Sequence, residues 1–398
     1  MTIARRSIAA ALLLWALGLA TSAQTPATRT FRVRETTGIR RTEYPITARI
    51  TLPRGALKSA GEARLMSNEM EVVAQFTAAS SWEDGSVQAL DVDFNATLEP
   101  EEERRYVLQY GAGVAATAKP ARGLMVDDQA DAVQVGTVKF SKSGSPLIAS
   151  AMYGGERIAQ GGNGLVVTDS KGQRHDLSSA QNPRLEIVRP GPVTVGLRFT
   201  AALAIEAGYS VPVEMLIEMP NSKSWVKLAA TVRDPSRKVR DIAIETPLAF
   251  GALPVLWDFG TDSGTYGVFR NATDAVLLTQ TRNASGGSWK VETSAQGQPR
   301  RPYETSAGTR VKVASGWGHL QDAKAAVAFA VEGFGRDEGT YTIALDGKGQ
   351  TAFRTVPAEP LTEHHLTVYE HFVSTPVAIG AATNPTSMLR APSVILDR

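Results

Sequence analysis

The stretch FTAASSWEDGSVQALDVDFNATL, Phe76 to Leu98, decides the fold class. Asp84-Gly85 stands between two apolar-rich runs, and such a pair predicts a tight hairpin turn, because glycine accepts the positive φ that the turn demands. The run after the turn alternates. With a period of two, Leu90, Val92 and Phe94 fall on one face and Val87, Ala89, Asp91 and Asp93 on the other. A strand of this kind buries one face, so Asp91 and Asp93 are expected in solvent. Two carboxylates about 6–7 Å apart along a strand are also a candidate for holding a cation or sugar hydroxyls. No third oxygen ligand is spaced to complete a metal site.

The same period recurs in both directions from this stretch. YPITARIT, MEVVAQFT, RRYVLQY, AVQVGTVKF, PVTVGLRFT, VPVEMLIEM, WVKLAATV, AAVAFAVEGF and LTVYEHFV all alternate, and 35 glycines and 21 prolines punctuate them. Only LPRGALKS and the residues from Leu98 to Glu103 suggest helical turns. The expected fold class is therefore all-β. GAGVAATAKPARG, Gly111–Gly123, lacks periodicity and marks a boundary. Residues 29–112 carry short strands enough for a small barrel, and 124–380 carry longer ones that suit a large antiparallel β-sandwich. Residues 381–398 break the pattern and are expected to lie along the surface as a tail.

The first 23 residues run from Arg5 and Arg6 through an apolar stretch to small residues ending at Ala23, the order of a cleavable secretory signal. A bacterial periplasmic or secreted protein is expected. The apolar run is shorter than the ~20 residues of a membrane span, and no later segment spans either. An exported chain with no cysteine has no disulfides, thiol nucleophile or thiolate metal site. The formal charge is +2, and removing Arg5 and Arg6 from the 42 basic residues would balance the 40 acidic ones. Nucleic acid is not an expected partner, since no basic stripe remains. Neither a metal nor a cofactor is predicted.

LPRGAL (Leu52–Leu57), followed by VVAQFTAASSWEDGSVQALDVDF (Val72–Phe94), resembles the N-terminal RIFT-type barrel of exo-rhamnogalacturonan lyases, polysaccharide lyase family 26, and their bacterial relatives. The resemblance lies in a proline-glycine entry, an AQF strand, and a tryptophan with a DGSV turn leading into a VDF strand. Gln88 and Ala89 stand where that family tends to have arginine and tryptophan. SGWGHLQDAKAAVAFAVEGF (Ser315–Phe334) and LTEHHLTVYEHFV (Leu361–Val373) are similar to glycine-tryptophan and histidine-bearing strands of the family's central β-sandwich. The resemblance implies a RIFT-type barrel followed by that sandwich, and acidic polysaccharide or oligosaccharide as the partner. In those lyases a large α/α toroid follows and walls the substrate cleft. This sequence carries no segment for one, which turns the expectation towards an accessory, non-catalytic binding protein.

β-Elimination at a uronate needs a cationic partner for the carboxylate, a base for the adjacent proton and an acid for the leaving oxygen. Three of the five histidines crowd into HHLTVYEH. Read as a strand, it puts His365, Thr367, Tyr369 and His371 on one, polar face, and His364, Leu366, Val368, Glu370 and Phe372 on the other. Tyr369 and His371 are the candidate catalytic pair, with His319 of GWGHLQD as a third member. His365 and Trp317 are candidate substrate-binding residues, a tryptophan face being a good platform for a sugar ring. His365 and His371 lie about 20 Å apart on an extended strand, too far to share a metal. Otherwise the histidine strand is simply a solvated edge. Three functions fit these features: glycan binding without catalysis, a compact polysaccharide lyase, and a structural envelope component.

Overall fold

The computed structural model describes residues 26–397 apart from 163, 251–252, 262–264, 308–312 and 376–384, with backbone alone for 304–307. The expected signal at 1–23 and residues 381–384 of the tail lie outside it. The fold is all-β, built of antiparallel sheets, and the one α-helix among the described residues is the short Pro385–Leu389. None of its helices is long and apolar enough to cross a membrane.

Two sheets enclose a smaller, N-terminal core. One runs Ser393–Leu396, Ala27–Arg34, Glu103–Tyr110, Ala63–Ser67, Met70–Val72; the other runs Arg41–Thr51, Val87–Leu98, Ala74–Ser81. Phe31, Phe94 and Tyr106 stack at its centre, with Phe94 and Tyr106 centroids 4.7 Å apart. The Asp84-Gly85 turn forms as the sequence predicts. Gly85 has φ +79° and its N–H donates to Trp82 O at 2.9 Å. Leu52–Ser59 and Leu98–Glu103, expected to be helical, are turns instead, because each is pinned between paired strands too close for a helix to nucleate.

A larger core lies between an eight-stranded and a nine-stranded sheet. The eight-stranded sheet contains Val239–Pro247, Gln350–Pro357, Gly339–Asp346 and Ala275–Asn283 in its middle. The nine-stranded sheet runs Ala180–Pro190, Thr194–Glu206, Tyr209–Pro220, Trp225–Arg233, Glu363–Ser374, Ala325–Val331, Trp317–Gln321, Val255–Phe259, Thr265–Phe269. A small meander from Val126 to Ala159 packs beside them and shares the larger core.

The three-stranded sheet docks on the outer face of the nine-stranded one through a polar contact. Gln75, buried, accepts from the Val193 and Thr194 N–H groups at 3.0 and 3.1 Å and donates to Thr194 O at 2.9 Å. Asn95 pairs with Asn221 and Ser222, and Lys223 donates to Thr42 O. Trp225, Ala328 and Ala330, although on sandwich strands, pack into the smaller core.

The C-terminal residues close the assembly. Ser393–Leu396 pairs with Ala27–Arg34 as an edge strand. Buried Arg41 donates to Glu35 at 3.1 Å and to the carbonyls of Ser387 and Arg390, while Tyr44 donates to Ser387 O at 2.9 Å. Burial pushes the Glu35 carboxyl up, but Thr37, the backbone N–H groups around it and Arg41 outweigh this and hold it near 2.

Candidate functional site

The strand Glu363–Ser374 carries the histidines and lies between Trp225–Arg233 and Ala325–Val331. Its even-numbered side chains face the larger core. Glu370 is fully buried there, one oxygen accepting from Thr246 Oγ1 at 3.1 Å, and burial pushes its carboxyl up to about 7. The odd-numbered side chains face outward, as alternation requires. Tyr369 is nonetheless half-buried against the N-terminal core, and His371 is buried beside Trp225. The solvated edge expected here is therefore occupied by packing from residues some three hundred positions earlier.

Trp225 divides the outer face. Its ring stands edge-on to Tyr369 at 6.4 Å and to His371 at 6.5 Å. On one side lies a cavity of about 540 Å³ lined by His371 and His319; on the other a cleft of about 530 Å³ lined by Tyr369. The three candidate catalytic residues thus split two and one.

In the first cavity His319 is held by Asp258, the residue opposite it on the neighbouring strand. Asp258 accepts from the His319 N–H at 2.8 Å and contacts Nδ1 at 2.8 and 3.1 Å. With Nδ1–H donated to a carboxylate, Nε2 of the neutral ring is the acceptor. His371 is two strands away, His319 pairing with Ala328 and Ala328 with His371, or about 10 Å at ordinary strand spacing. Burial, with lesser effects from Lys223 and His319, pulls His371 down to about 4, so it is neutral at pH 7. Among the described residues no lysine or arginine lines this cavity.

The second cleft is the seam between the two cores, and it explains Asp91 and Asp93. Arg49 grips Asp91 through Nε and Nη2 at 2.7 and 2.9 Å. Asp93 accepts from Thr47 Oγ1 at 2.6 Å and from Arg189 at 2.9 Å. Arg189 also bonds Glu218, whose other oxygen lies 3.2 Å from Lys227 Nζ. Both aspartates are buried rather than solvated, and they bind arginines rather than a cation; no group able to hold a metal ion occurs among the described residues. Burial pushes Asp93 up to about 6 even though Arg189 opposes it. Burial likewise pushes the Tyr369 hydroxyl far above the ordinary phenol range, so it stays a protonated donor. Lys227 lies 5.7 Å from the Tyr369 ring centroid.

The two candidate substrate-binding residues lie elsewhere. Trp317 packs its indole over Gly260, where an added Cβ would meet Cε2 at 2.2 Å, and turns an edge to His319 at 5.8 Å. Its ring is spent on packing. His365 is exposed near Thr231 and Glu363, beside a third cavity that contains neither Tyr369 nor His371. Arg49, Arg189, Lys227 and Asp258 were not singled out by the sequence. The signal for the first two was the acid pair Asp91 and Asp93, which the sequence placed on the solvated face.

No family model and no curated sequence matches the chain. Among solved structures it is similar to an α-mannosidase from Enterococcus faecalis V583, with a TM-score of 0.57 and 10% identity over 93% of this chain and 46% of that one. It is also similar to a glycosyl hydrolase family 38 protein from Enterococcus faecalis, with a TM-score of 0.53 and 10% identity over 93% of this chain and 47% of that one. The chain spans less than half the length of either, and the likeness is one of fold.

Proposed function

We propose that this is an exported, non-catalytic protein that binds acidic polysaccharide in the seam between its N-terminal sheets and its sandwich. The observation that carries this is a pair of incompletely engaged donors on the accessible side of the seam, while the carboxylate oxygen left over there, Asp93 Oδ2, is fully buried. Both oxygens of Asp91 and of Glu218 are engaged, while Arg49, two-thirds exposed, keeps an Nη1 with no partner among the described residues, and Lys227 meets one carboxylate only. A ligand entering here must accept hydrogen bonds, as a uronate carboxylate does. Trp225, Tyr369 and Leu216 supply an apolar wall for its ring.

Binding is favoured over β-elimination because the cations and the histidines stand on opposite sides of Trp225. One uronate ring cannot reach both. Tyr369 and Tyr44, which both line the cations' cleft, are held protonated by burial and cannot serve as a base. Kinship with the rhamnogalacturonan lyases, the division into 29–112 and 124–380, and export rest on the motifs at Leu52–Phe94, the linker and the order of residues 1–23. The similar fold of the two glycosidase-related structures is in keeping with a carbohydrate ligand.

Calorimetric titration with oligogalacturonate tests this. Saturable binding is expected, with no rise in ultraviolet absorbance from unsaturated ends. Arg49→Ala and Lys227→Ala are each expected to weaken it about tenfold or more, the value of a charge-assisted hydrogen bond. Absence of binding, or binding indifferent to both substitutions, would refute the assignment. Accumulation of unsaturated ends would replace it with a lyase.

A further inference from the structure

The first cavity is not used by this function, and its construction is regular. Two rows of side chains cross the outer face of the nine-stranded sheet. Strand register aligns Tyr266, Asp258, His319, Ala328 and His371 in one row, and Val268, Leu256, Gln321, Ala326 and Val373 in the other. Ala326 and Ala328 have the smallest side chains in their rows, and they make the bottom of a trough whose walls are the larger residues on either side. Gly267 adds to it. An added Cβ there would meet Trp257 Cζ2 at 2.4 Å, so the absence of a side chain lets the buried indole pack beneath the edge strand that presents Tyr266 and Val268.

The rows differ in chemistry. The first offers a phenol, a carboxylate and two imidazoles, His371 buried and His319 with Nε2 free of its carboxylate partner; the second is apolar except for Gln321. Tyr266 is 70% exposed, and Leu256 and Val268 are 49% and 39% exposed, an unusual outlay of apolar surface on one short edge. A ligand that matches must show one apolar edge or face and one edge of hydroxyl groups. Among the described residues the lining contains no lysine or arginine to meet an anion. Its one carboxylate among the described residues, Asp258, is paired with His319 and has no second acid beside it, so it suits a hydroxyl donor rather than a metal ion.

We propose that this trough is a second carbohydrate site, for an uncharged pyranose, distinct in chemistry from the acid-binding seam. It extends the glycan-binding assignment above and rests on it for the general class of ligand, but it shares no polar residue with the seam. The sugar's hydroxyls donate to His319 Nε2 and Asp258, while its apolar C–H face lies on Tyr266 beside the exposed Leu256 and Val268. From Tyr266 to His371 the row spans four strand spacings, about 19 Å, which leaves room for more than one ring.

Saturation-transfer difference NMR with the methyl glycosides of glucose, galactose and mannose, run on the full chain at millimolar sugar, tests the assignment. Transfer to ring C–H protons of at least one glycoside is expected. Tyr266→Ala, at an exposed position that leaves the core intact, should weaken that binding about tenfold by loss of the aromatic platform. Ala326→Leu should abolish it by filling the trough, and Arg49→Ala should leave it unchanged. No transfer from any of the three sugars, or transfer undiminished in both Tyr266→Ala and Ala326→Leu, would overturn the proposal. Titration of the same samples with oligogalacturonate separates its failure from failure of the seam, because the seam alone depends on Arg49.

Discussion

Glu370 is the residue whose environment departs furthest from what its side chain prefers. Its carboxyl sits in the larger core with one oxygen on Thr246 and the other without a partner among the described residues. Its pKa rises from the ordinary 4.5 to about 7 on folding. The folded state therefore holds the proton more tightly, and the associated stability is present below pH 4.5 and lost as pH rises towards 7. The loss amounts to about 3 kcal/mol over that window. Asp93, raised to about 6, adds a slope of the same sign at lower pH, and His371, pulled down to about 4, offsets part of both below pH 6.5. Urea unfolding at pH 5 and pH 8 should show the wild type weakening on the alkaline side. Glu370→Gln should flatten most of that difference. The buried position of Glu370 was legible from alternation within LTVYEHFV, because a period of two assigns faces. The fate of Asp91 and Asp93 was not. Alternation put them opposite Leu90 and Val92, but Arg189, which makes Asp93 part of a seam, comes from 96 residues away.

At the scale of elements, strands announced themselves wherever apolar residues alternated over enough positions, and the Asp84-Gly85 turn was readable because its φ demands glycine. The C-terminal strand Ser393–Leu396 gave no such sign. Four residues carry too few alternations to register, and its place is set by the free edge of Ala27–Arg34, which sequence cannot display. The short helix before it is likewise held from outside, by Arg41 and Tyr44, with Met388 buried in the smaller core. Met388→Ala should cost about 2–4 kcal/mol, in the range of buried methionine truncations, and thermal unfolding would measure it. Removal of Pro385–Asp397 should do more, uncovering an edge strand and leaving Arg41 without its carbonyl partners. Concentration-dependent association, read by light scattering, is the expected sign of that open edge.

Across the whole molecule, the N-terminal sheets meet the sandwich through a surface that looks solvated in sequence. Gln75, Asp93 and Asn95 read as the wet side of two strands, yet each finds its partners on the sandwich. Period alone tells which side is polar, not whether water or another sheet lies against it, and the same ambiguity hid the covering of Tyr369. The candidate site was legible to that extent: the histidine strand does border both clefts, but the cations that give the seam its chemistry lie on strands without any motif. Gln75 is the test of the docking. Gln75→Ala would leave the Val193 and Thr194 N–H groups and the Thr194 carbonyl unsatisfied, at a cost of about 2–4 kcal/mol, and should weaken oligogalacturonate binding because the seam needs both walls. Chemical denaturation and calorimetry on the same variant check the two effects.

Trp225 has one more consequence. A single indole touches Tyr369 on one flank and His371 on the other. The indole borders the seam and backs onto a histidine that lines the first cavity, so a guest pressing on it from the seam would be felt by His371 without touching it, and any such coupling would run equally in both directions.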